Sequence, residues 1–224
     1  MKRSEINARI EAAESYFAAM NFKLPPWAFR RPEDWKGRYA VDAEIVDNAL
    51  GWDLTDFGGG DFARRGLLLF TVRNGRLGAD RKTYAEKIMI VEESQETPFH
   101  FHWSKMEDII DRGGGNLVLE LYRSAADESL SVEDVEVRVD GELRRVEAGA
   151  KIVLEPGQSI CLEQGMYHRF YGEEGKGRVL VGEVSAVNDD QADNRFLESL
   201  GRFPKIEEDE PPRRLLISDY RSYV

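Results

Sequence analysis

The chain has 224 residues, of which 42% are apolar and 10% aromatic, and this is enough to build one well-buried hydrophobic core. Its 42 acidic and 31 basic side chains leave a formal net charge of -11, which repels nucleic acid and anionic membranes and argues against both as partners. The single cysteine, Cys161, cannot form an internal disulfide, and neither a signal-peptide pattern nor an apolar run of ~20 residues is present. These features predict a cytoplasmic protein.

The N-terminal part begins with an amphipathic helix and continues as loops and short strands. Apolar residues recur at helical spacing from Ser4 to Met20, and Pro25-Pro26 ends that segment. Farther along, two apolar runs at 66–73 and 85–94 are typical of strands. We therefore expect a helical segment over 1–35 that lies on the outside of a larger body.

From residue 98 onward, strand patterns dominate the chain. Glycine or charged turns separate them at intervals of about 8–12 residues, the spacing of an antiparallel sandwich or barrel. The predicted strands are 99–103, 116–123, 135–139, 151–154, 159–162, 167–172 and 177–187. The sequence thus predicts a single domain over 1–224, with an all-β core at 36–187 and an acidic, proline-bearing C-terminal extension at 188–224.

The segment FHFHWSKMED, residues 99–108, contains two of the three histidines of the chain. Side chains at i and i+2 of a strand share a face with Cα atoms about 6.6 Å apart, so His100 and His102 can bind one ion at about 2.1 Å from each nitrogen. Glu107 follows closely enough to offer a carboxylate oxygen, and His168 lies in a separate predicted strand. The alternative is that these histidines are structural, which is the usual explanation for an isolated pair.

Two stretches resemble the motifs of the cupin superfamily. HFHWSKME with the glycines at 113–114 is similar to the first motif, and GMYHRF is similar to the second, although Glu163 stands where that motif usually has proline. The resemblance implies a jelly-roll β-barrel, with the N-terminal helix and the C-terminal extension packed around it. It also implies the metal ligands His100, His102, Glu107 and His168.

Longer strings resemble one family within that superfamily. Three strings are similar to the D-lyxose isomerase family, namely TPFHFHWSKMEDIIDRGGGNLVLELY, VNDDQADNRF and GRFPKIEEDEPP. This resemblance implies an aldose–ketose isomerase of free sugars, acting on D-lyxose and D-xylulose and secondarily on D-mannose and D-fructose. The bare cupin pattern leaves two alternatives open, a metal-dependent dioxygenase and a non-catalytic sugar-binding protein.

The predicted ligand set also restricts the metal. Three imidazoles and one carboxylate leave room for two further ligands in an octahedron, which suits Mn²⁺, Fe²⁺, Co²⁺ or Ni²⁺, whereas a structural Zn²⁺ site would more often contain cysteine. Zn²⁺ in a catalytic site stays possible. The family resemblance favours manganese.

An aldose–ketose isomerase also needs groups that move protons. Lys105 lies between two predicted ligands and can reach a substrate oxygen, although it could equally be a surface lysine. Glu183 shares a strand face with Val179 and Val181 and is expected to point into the barrel as the base. Glu120 is the second candidate for the base and is otherwise expected to bind substrate; a register slip of one residue would turn either glutamate outward.

The C-terminal extension supplies the last candidates. Asp193 and Arg195 are expected to contact sugar hydroxyls from a loop over the mouth of the barrel, or else to form a local surface ion pair. The glycines at 113–115 lack the context of a phosphate-binding loop, so an unphosphorylated sugar is favoured. The exposed helix and extension favour a homodimer.

Overall fold

The core of the protein is formed by two β-sheets that face each other. The computed structural model describes residues 1–79, 81–187, 193–201 and 204–224. In these ranges the strands are β1 (Gly51–Thr55), β2 (Leu67–Arg73), β3 (Tyr84–Val91), β4 (Thr97–Phe101), β5 (Glu107–Gly114), β6 (Leu117–Arg123), β7 (Val135–Val139), β8 (Glu142–Val146), β9 (Lys151–Leu154), β10 (Ser159–Leu162), β11 (Met166–Gly172), β12 (Val179–Ala186) and β13 (Arg195–Phe196).

The strands follow a jelly-roll arrangement. The larger sheet has the order β1-β2-β3-β12-β5-β10-β7-β8, and the smaller one has the order β13-β4-β11-β6-β9. Neighbouring strands in both sheets run antiparallel. The predicted all-β fold of cupin jelly-roll type is therefore confirmed.

The space between the sheets is filled by alternate residues of each strand, because successive side chains of a strand point to opposite faces. On β6 the inward residues are Leu117, Leu119 and Leu121, and on β12 they are Val179 and Val181, all of them buried in one cluster. These buried residues form the apolar core between the two sheets.

A helical layer covers the outer face of the larger sheet. The helices are α1 (Arg3–Ala19), α2 (Tyr39–Asp47) and the short α3 (Tyr220–Tyr223), with single 3-10 turns at Pro26–Phe29 and Pro32–Trp35. The apolar side of α1 packs on outward residues of β2, β3 and β12, in a cluster that includes Ile6, Ile10, Phe17, Phe70, Ile88 and Leu180. Among the described helices none is long and apolar enough to cross a bilayer.

The described part of the C-terminal extension holds this layer in place. Arg3, which is 2% exposed, binds Glu208 and Asp219 through its guanidinium nitrogens. The carboxylate of Asp209 accepts the backbone N–H and the hydroxyl of Ser4. The acidic run at 207–210 thus caps α1, and the extension packs against the sandwich as predicted.

Several elements escape the sequence patterns for a physical reason. The inward face of β5 carries Glu107 and Asp111 beside Ile109 and Gly113, so the strand lacks the apolar alternation that identifies a half-buried strand. β8 is an exposed edge strand. The helix α2 and the strand β1 lie in a segment for which we expected loops and short strands. Gly113 and Gly114 have positive φ angles of 134° and 96° and end β5 as a turn.

Candidate active site

Four buried side chains meet between the two sheets. His100 lies on β4 and stands in register with His168 on β11, and His102 follows the end of β4. Glu107 is the first residue of β5 in the opposite sheet. One ligand atom from each of these four residues lies within 4.8 Å of the other three. The structure therefore brings together all four predicted metal ligands.

The three imidazoles are oriented by backbone carbonyl groups. Nδ1 of His100 lies 2.9 Å from the Pro98 oxygen, Nδ1 of His102 lies 2.8 Å from the Asp193 oxygen, and Nδ1 of His168 lies 3.0 Å from the Met166 oxygen. A carbonyl oxygen only accepts, so each Nδ1 carries the proton and each neutral ring keeps its lone pair on Nε2. This is the arrangement in which histidines bind metal ions.

Two of the three imidazoles direct Nε2 at the Glu107 carboxylate. Nε2 of His102 and Nε2 of His168 lie 3.3 and 3.2 Å from its Oε1. Both nitrogens are buried and have no hydrogen-bond partner within the described residues. Ligands at about 2.1 Å from one ion lie about 3.0 Å apart when they are adjacent in an octahedron, so this spacing fits a divalent cation.

The protonation states also suit a metal site. Burial, together with the neighbouring His168 and His102, holds the pKa of His100 well below its usual value, so the ring is neutral at pH 7. Burial raises the pKa of Glu107, but the ammonium of Lys105 and the nearby His102 lower it by more, and the net shift is well below the usual value. The cluster therefore offers a neutral imidazole at His100 and an ionised carboxylate at Glu107.

A chain of alternating charges leads away from the cluster. Nζ of Lys105 lies 2.6 Å from Glu107 Oε2 and 3.0 Å from Glu183 Oε1. Lys87 on β3, in register with Glu183 on β12, places its Nζ 3.2 Å from the same Oε1. Burial raises the pKa of Glu183, but Lys105 and Lys87 outweigh it and the net pKa is lowered. Lys105 and Glu183 therefore lie where the sequence placed them.

A cavity of about 80 Å³ is lined both by the four candidate metal ligands and by Lys105, Glu183 and Lys87. Its walls also contain residues that the sequence did not single out, namely Asp53, Thr55, Lys87, Asn194 and Phe196. The sequence does contain a signal for Lys87. It alternates with the apolar residues Met89 and Val91, and it is the one charged residue on the inward face of β3. Asp53 lies on a strand that the sequence did not reveal.

Glu120 lies outside this cavity. On β6 it stands between the inward residues Leu119 and Leu121, so its side chain points to the opposite face of the sheet. There its Oε2 is 2.7 Å from the Arg169 guanidinium, and Arg169 follows the inward His168 on the adjacent strand. The expected role of Glu120 as base or sugar ligand does not fit this position, because the strand register turns it outward.

Asp193 and Arg195 also differ from their expected place. The Asp193 carboxylate accepts the backbone N–H groups of Ser104 and Lys105, both at 2.8 Å, and Arg195 binds Glu128 at 2.7 Å. These contacts replace both a sugar contact and the expected ion pair between the two. Their neighbours Asn194 and Phe196 line the cavity instead. Residues 188–192 of the VNDDQADNRF string and residues 202–203 of the GRFPKIEEDEPP string lie outside the described part of the chain.

Comparison with known sequences gives a consistent result. A sequence model of the D-lyxose isomerase family matches residues 1–220. A protein of Serratia proteamaculans named D-lyxose/D-mannose isomerase is 49% identical over 230 residues, and one of Escherichia coli O157:H7 with the same name is 47% identical over 226 residues. Each alignment covers 100% of both chains.

Solved structures resemble the fold at much lower identity. The ligand-free L-ribose isomerase of Cellulomonas parahominis superposes with a TM-score of 0.60 and 15% identity, covering 92% of this chain and 98% of that chain. The Acinetobacter sp. DL28 L-ribose isomerase in complex with L-ribose gives 0.60 and 13% over the same shares. These likenesses concern the fold alone.

Proposed function

The chain belongs to the D-lyxose isomerase family, and on this premise we propose that it is a metal-dependent isomerase that interconverts a free aldose and its ketose. The proposed pair is D-lyxose and D-xylulose, with D-mannose and D-fructose as a second pair, in agreement with the names of the two relatives. The acidic net charge of -11 agrees with an unphosphorylated substrate.

One observation carries the proposal. A buried set of three oriented imidazoles and one carboxylate lies in the same cavity as a buried lysine–glutamate pair. Binding a metal requires only the imidazoles and the carboxylate, and a structural metal site would not need the lysine–glutamate pair. An isomerase needs both, because two oxygens must be held and protons must move on carbon and on oxygen.

We assign the metal to His100, His102, Glu107 and His168. A divalent cation held there would act as a Lewis acid that stabilises negative charge on the sugar oxygens at C1 and C2. The ligand set suits Mn²⁺, which we propose as the native ion, and also Fe²⁺, Co²⁺ or Ni²⁺, with Zn²⁺ as a further possibility.

We assign the proton transfers to Glu183 and Lys105. Glu183 is ionised because its pKa is lowered, so its carboxylate can take the proton from C2 of the aldose and return it to C1. The Lys105 ammonium can donate a proton to the C1 oxygen and recover one from the C2 oxygen. The intermediate formed when the C2 proton leaves is a cis-enediolate, and after the proton transfers of Glu183 and Lys105 both residues end in their starting state. The side chains of Lys105 and Glu183 are only 3% and 7% exposed, which keeps water away from the transferred protons.

The direct test is metal reconstitution. We expect metal-stripped protein to be inactive toward a panel of free aldoses, and Mn²⁺ added alone to restore ketose formation, fastest from D-lyxose. Fe²⁺, Co²⁺, Ni²⁺ and Zn²⁺ are added singly for comparison. Oxygen consumption that is required for turnover would indicate a dioxygenase instead. Sugar binding to the Mn²⁺-loaded protein without any conversion would indicate a non-catalytic sugar-binding protein.

Two further predictions concern the whole molecule. We propose a homodimer, which light scattering of the purified protein would test, and a cytoplasmic location, which cell fractionation would test. Neither affects the assignment of the site residues.

A further inference from the structure

The connection between β4 and β5 carries much of the candidate site on very few residues. It begins with His102 and runs through Lys105 to Glu107, so a ligand, the proposed acid and a second ligand follow each other within six positions. Loops are usually the more mobile parts of a protein. Catalysis in turn requires groups that stay within fractions of an ångström of their productive position. This connection therefore needs a device that holds it.

One residue that is distant in sequence, Asp193, contacts this connection at His102, Ser104 and Lys105. Its carboxylate accepts the N–H of Ser104 with Oδ1 and the N–H of Lys105 with Oδ2, each at 2.8 Å. Its backbone carbonyl accepts the Nδ1–H of His102, also at 2.8 Å. The side chain thus fixes the start of Lys105, and the main chain fixes the tautomer and the direction of His102.

A carboxylate is well suited to this task. Its two oxygens can each accept one N–H, and hydrogen bonds to an ionised acceptor are about twice as strong as neutral ones. An asparagine in the same place keeps one acceptor and directs an NH₂ donor at the other N–H, so it cannot reproduce the pair of bonds. The requirement for an acid at position 193 is therefore local and independent of any sugar.

We propose that Asp193 is a positioning residue, whose carboxylate holds Lys105 in place for proton transfer while its carbonyl group holds His102 in place for the metal. This assignment rests on the proposed function for the part that concerns turnover. The two tasks use different atoms, and only one of them belongs to the side chain. A substitution at 193 should therefore damage the placement of Lys105 and leave the His102 contact largely intact.

The experiment compares Asp193→Asn and Asp193→Ala with Glu198→Gln. The control removes an acid from the same segment, where Glu198 binds Arg65 at 3.0 Å and is 61% exposed. For every protein we would measure Mn²⁺ affinity, kcat and KM at saturating Mn²⁺, and hydrogen–deuterium exchange of the peptide that contains the amides of Ser104 and Lys105. Wild-type protein should protect these two amides, and both Asp193 variants should expose them.

We expect kcat to fall about 10- to 100-fold in both Asp193 variants, because a misplaced catalytic group loses rate in this range. KM should change less than about threefold, Mn²⁺ affinity less than about tenfold, and Glu198→Gln should behave as wild type. Unprotected amides in the wild-type protein would overturn the proposal whatever the enzyme does. Unchanged kcat in folded Asp193→Asn would also overturn it, as would a loss that higher Mn²⁺ fully restores. No turnover in the wild type would refute the proposed function. The exchange measurement would still show whether Asp193 holds the amides of Ser104 and Lys105.

Discussion

Two clusters of buried charged side chains in this molecule differ in how completely their charges are paired. At the outer layer, the guanidinium of Arg3 donates four hydrogen bonds to two carboxylates, from Nε and Nη2 to Glu208 and from Nη1 and Nη2 to Asp219. In the cavity, Lys105 and Glu183 are paired, but Nε2 of His102 and Nε2 of His168 have no hydrogen-bond partner among the described residues.

The difference separates a structural cluster from a reactive one. A buried polar atom without a partner lowers stability by about 1–3 kcal/mol, so proteins keep such atoms mainly where something else will bind them. The Arg3 cluster is complete within the chain and needs nothing more. The cavity is incomplete in a way that a divalent cation would satisfy. Each prediction below alters one of these two clusters, or a charge that belongs to neither.

The largest effect is expected from the removal of a proposed metal ligand. His168→Ala takes away one of three imidazoles from a site that holds four ligands, and we expect Mn²⁺ to be lost on gel filtration and turnover to fall at least about 1,000-fold. Metal content by mass spectrometry and initial rates at saturating sugar check this. Full Mn²⁺ retention in the variant would contradict the ligand assignment.

A matched control lies on the neighbouring strand. Glu120→Gln changes a carboxylate that binds Arg169 on the outer face, one strand away from His168. Metal content and kcat should stay within about twofold of wild type, because substitutions away from the reacting groups have small effects. A loss as large as that of His168→Ala would mean that Glu120 takes part in the reaction after all.

The second effect separates chemistry from metal binding. Glu183→Gln keeps the shape of the side chain but removes the base, so kcat should fall about 100- to 10,000-fold while Mn²⁺ is retained. Exchange of the sugar C2 deuterium with solvent, followed by NMR, should be lost in parallel. Wild-type rates in this variant would eliminate Glu183 as the base.

The sequence was a good guide to the four candidate metal ligands and a poorer one to the rest of the candidate site. The histidines carry their own signal, and strand alternation placed Glu183 correctly because Val179 and Val181 are inward-facing neighbours on the same strand. Glu120 is turned outward by the register slip of one residue that we considered, because the inward residues of its strand are Leu117, Leu119 and Leu121. Asp193 was identified as important, but its partners are 88 and 89 residues away, and no local pattern reveals such a contact.

The third effect concerns stability alone. Arg3→Met breaks the outer cluster and leaves Asp219, whose side chain is 11% exposed, without its cation. We expect the free energy of unfolding to fall by about 2–4 kcal/mol, somewhat less than for a fully buried pair because Glu208 is 56% exposed. Urea unfolding measures this. The kcat of folded, Mn²⁺-loaded variant should match wild type; a lower kcat would show that the outer layer shapes the cavity.

The fold was predictable to the extent that its strands alternate. The predicted core strands from 116 to 187 and the helix α1 appear in the structure because their apolar periodicity reflects one buried face. β5 was missed because two of its inward positions are acidic, at Glu107 for the site and at Asp111 for no purpose that the site explains. The candidate ligand Glu107 is thus one of the residues that make β5 hard to identify from the sequence.

Asp111 therefore offers the smallest and most specific test, on a buried charge that has no cation. It is fully buried, its Oδ1 accepts the Gly113 N–H at 2.8 Å, and its Oδ2 has no partner in the described part of the chain. Burial raises the pKa of Asp111 to about 6, although N–H groups of Gly113 and Leu117 lower it in part. Glu107, four residues earlier on the same face, has Lys105 beside it and a lowered pKa instead.

The sign of the pH effect follows from the raised pKa. The folded protein keeps a proton on Asp111 between pH 3.8, the usual value, and about 6, so this stabilising contribution is lost as the pH rises through that window. Asp111→Asn cannot ionise, and its stability relative to wild type should therefore increase by about 1–3 kcal/mol between pH 4 and pH 7 and then stay level. Urea unfolding of both metal-free proteins at four pH values measures the difference, from which the common histidine titrations cancel. A difference that does not change with pH would mean that the Asp111 carboxylate has a stabilising partner in the dissolved protein. Buried polar atoms without partners would then be confined to the candidate metal site.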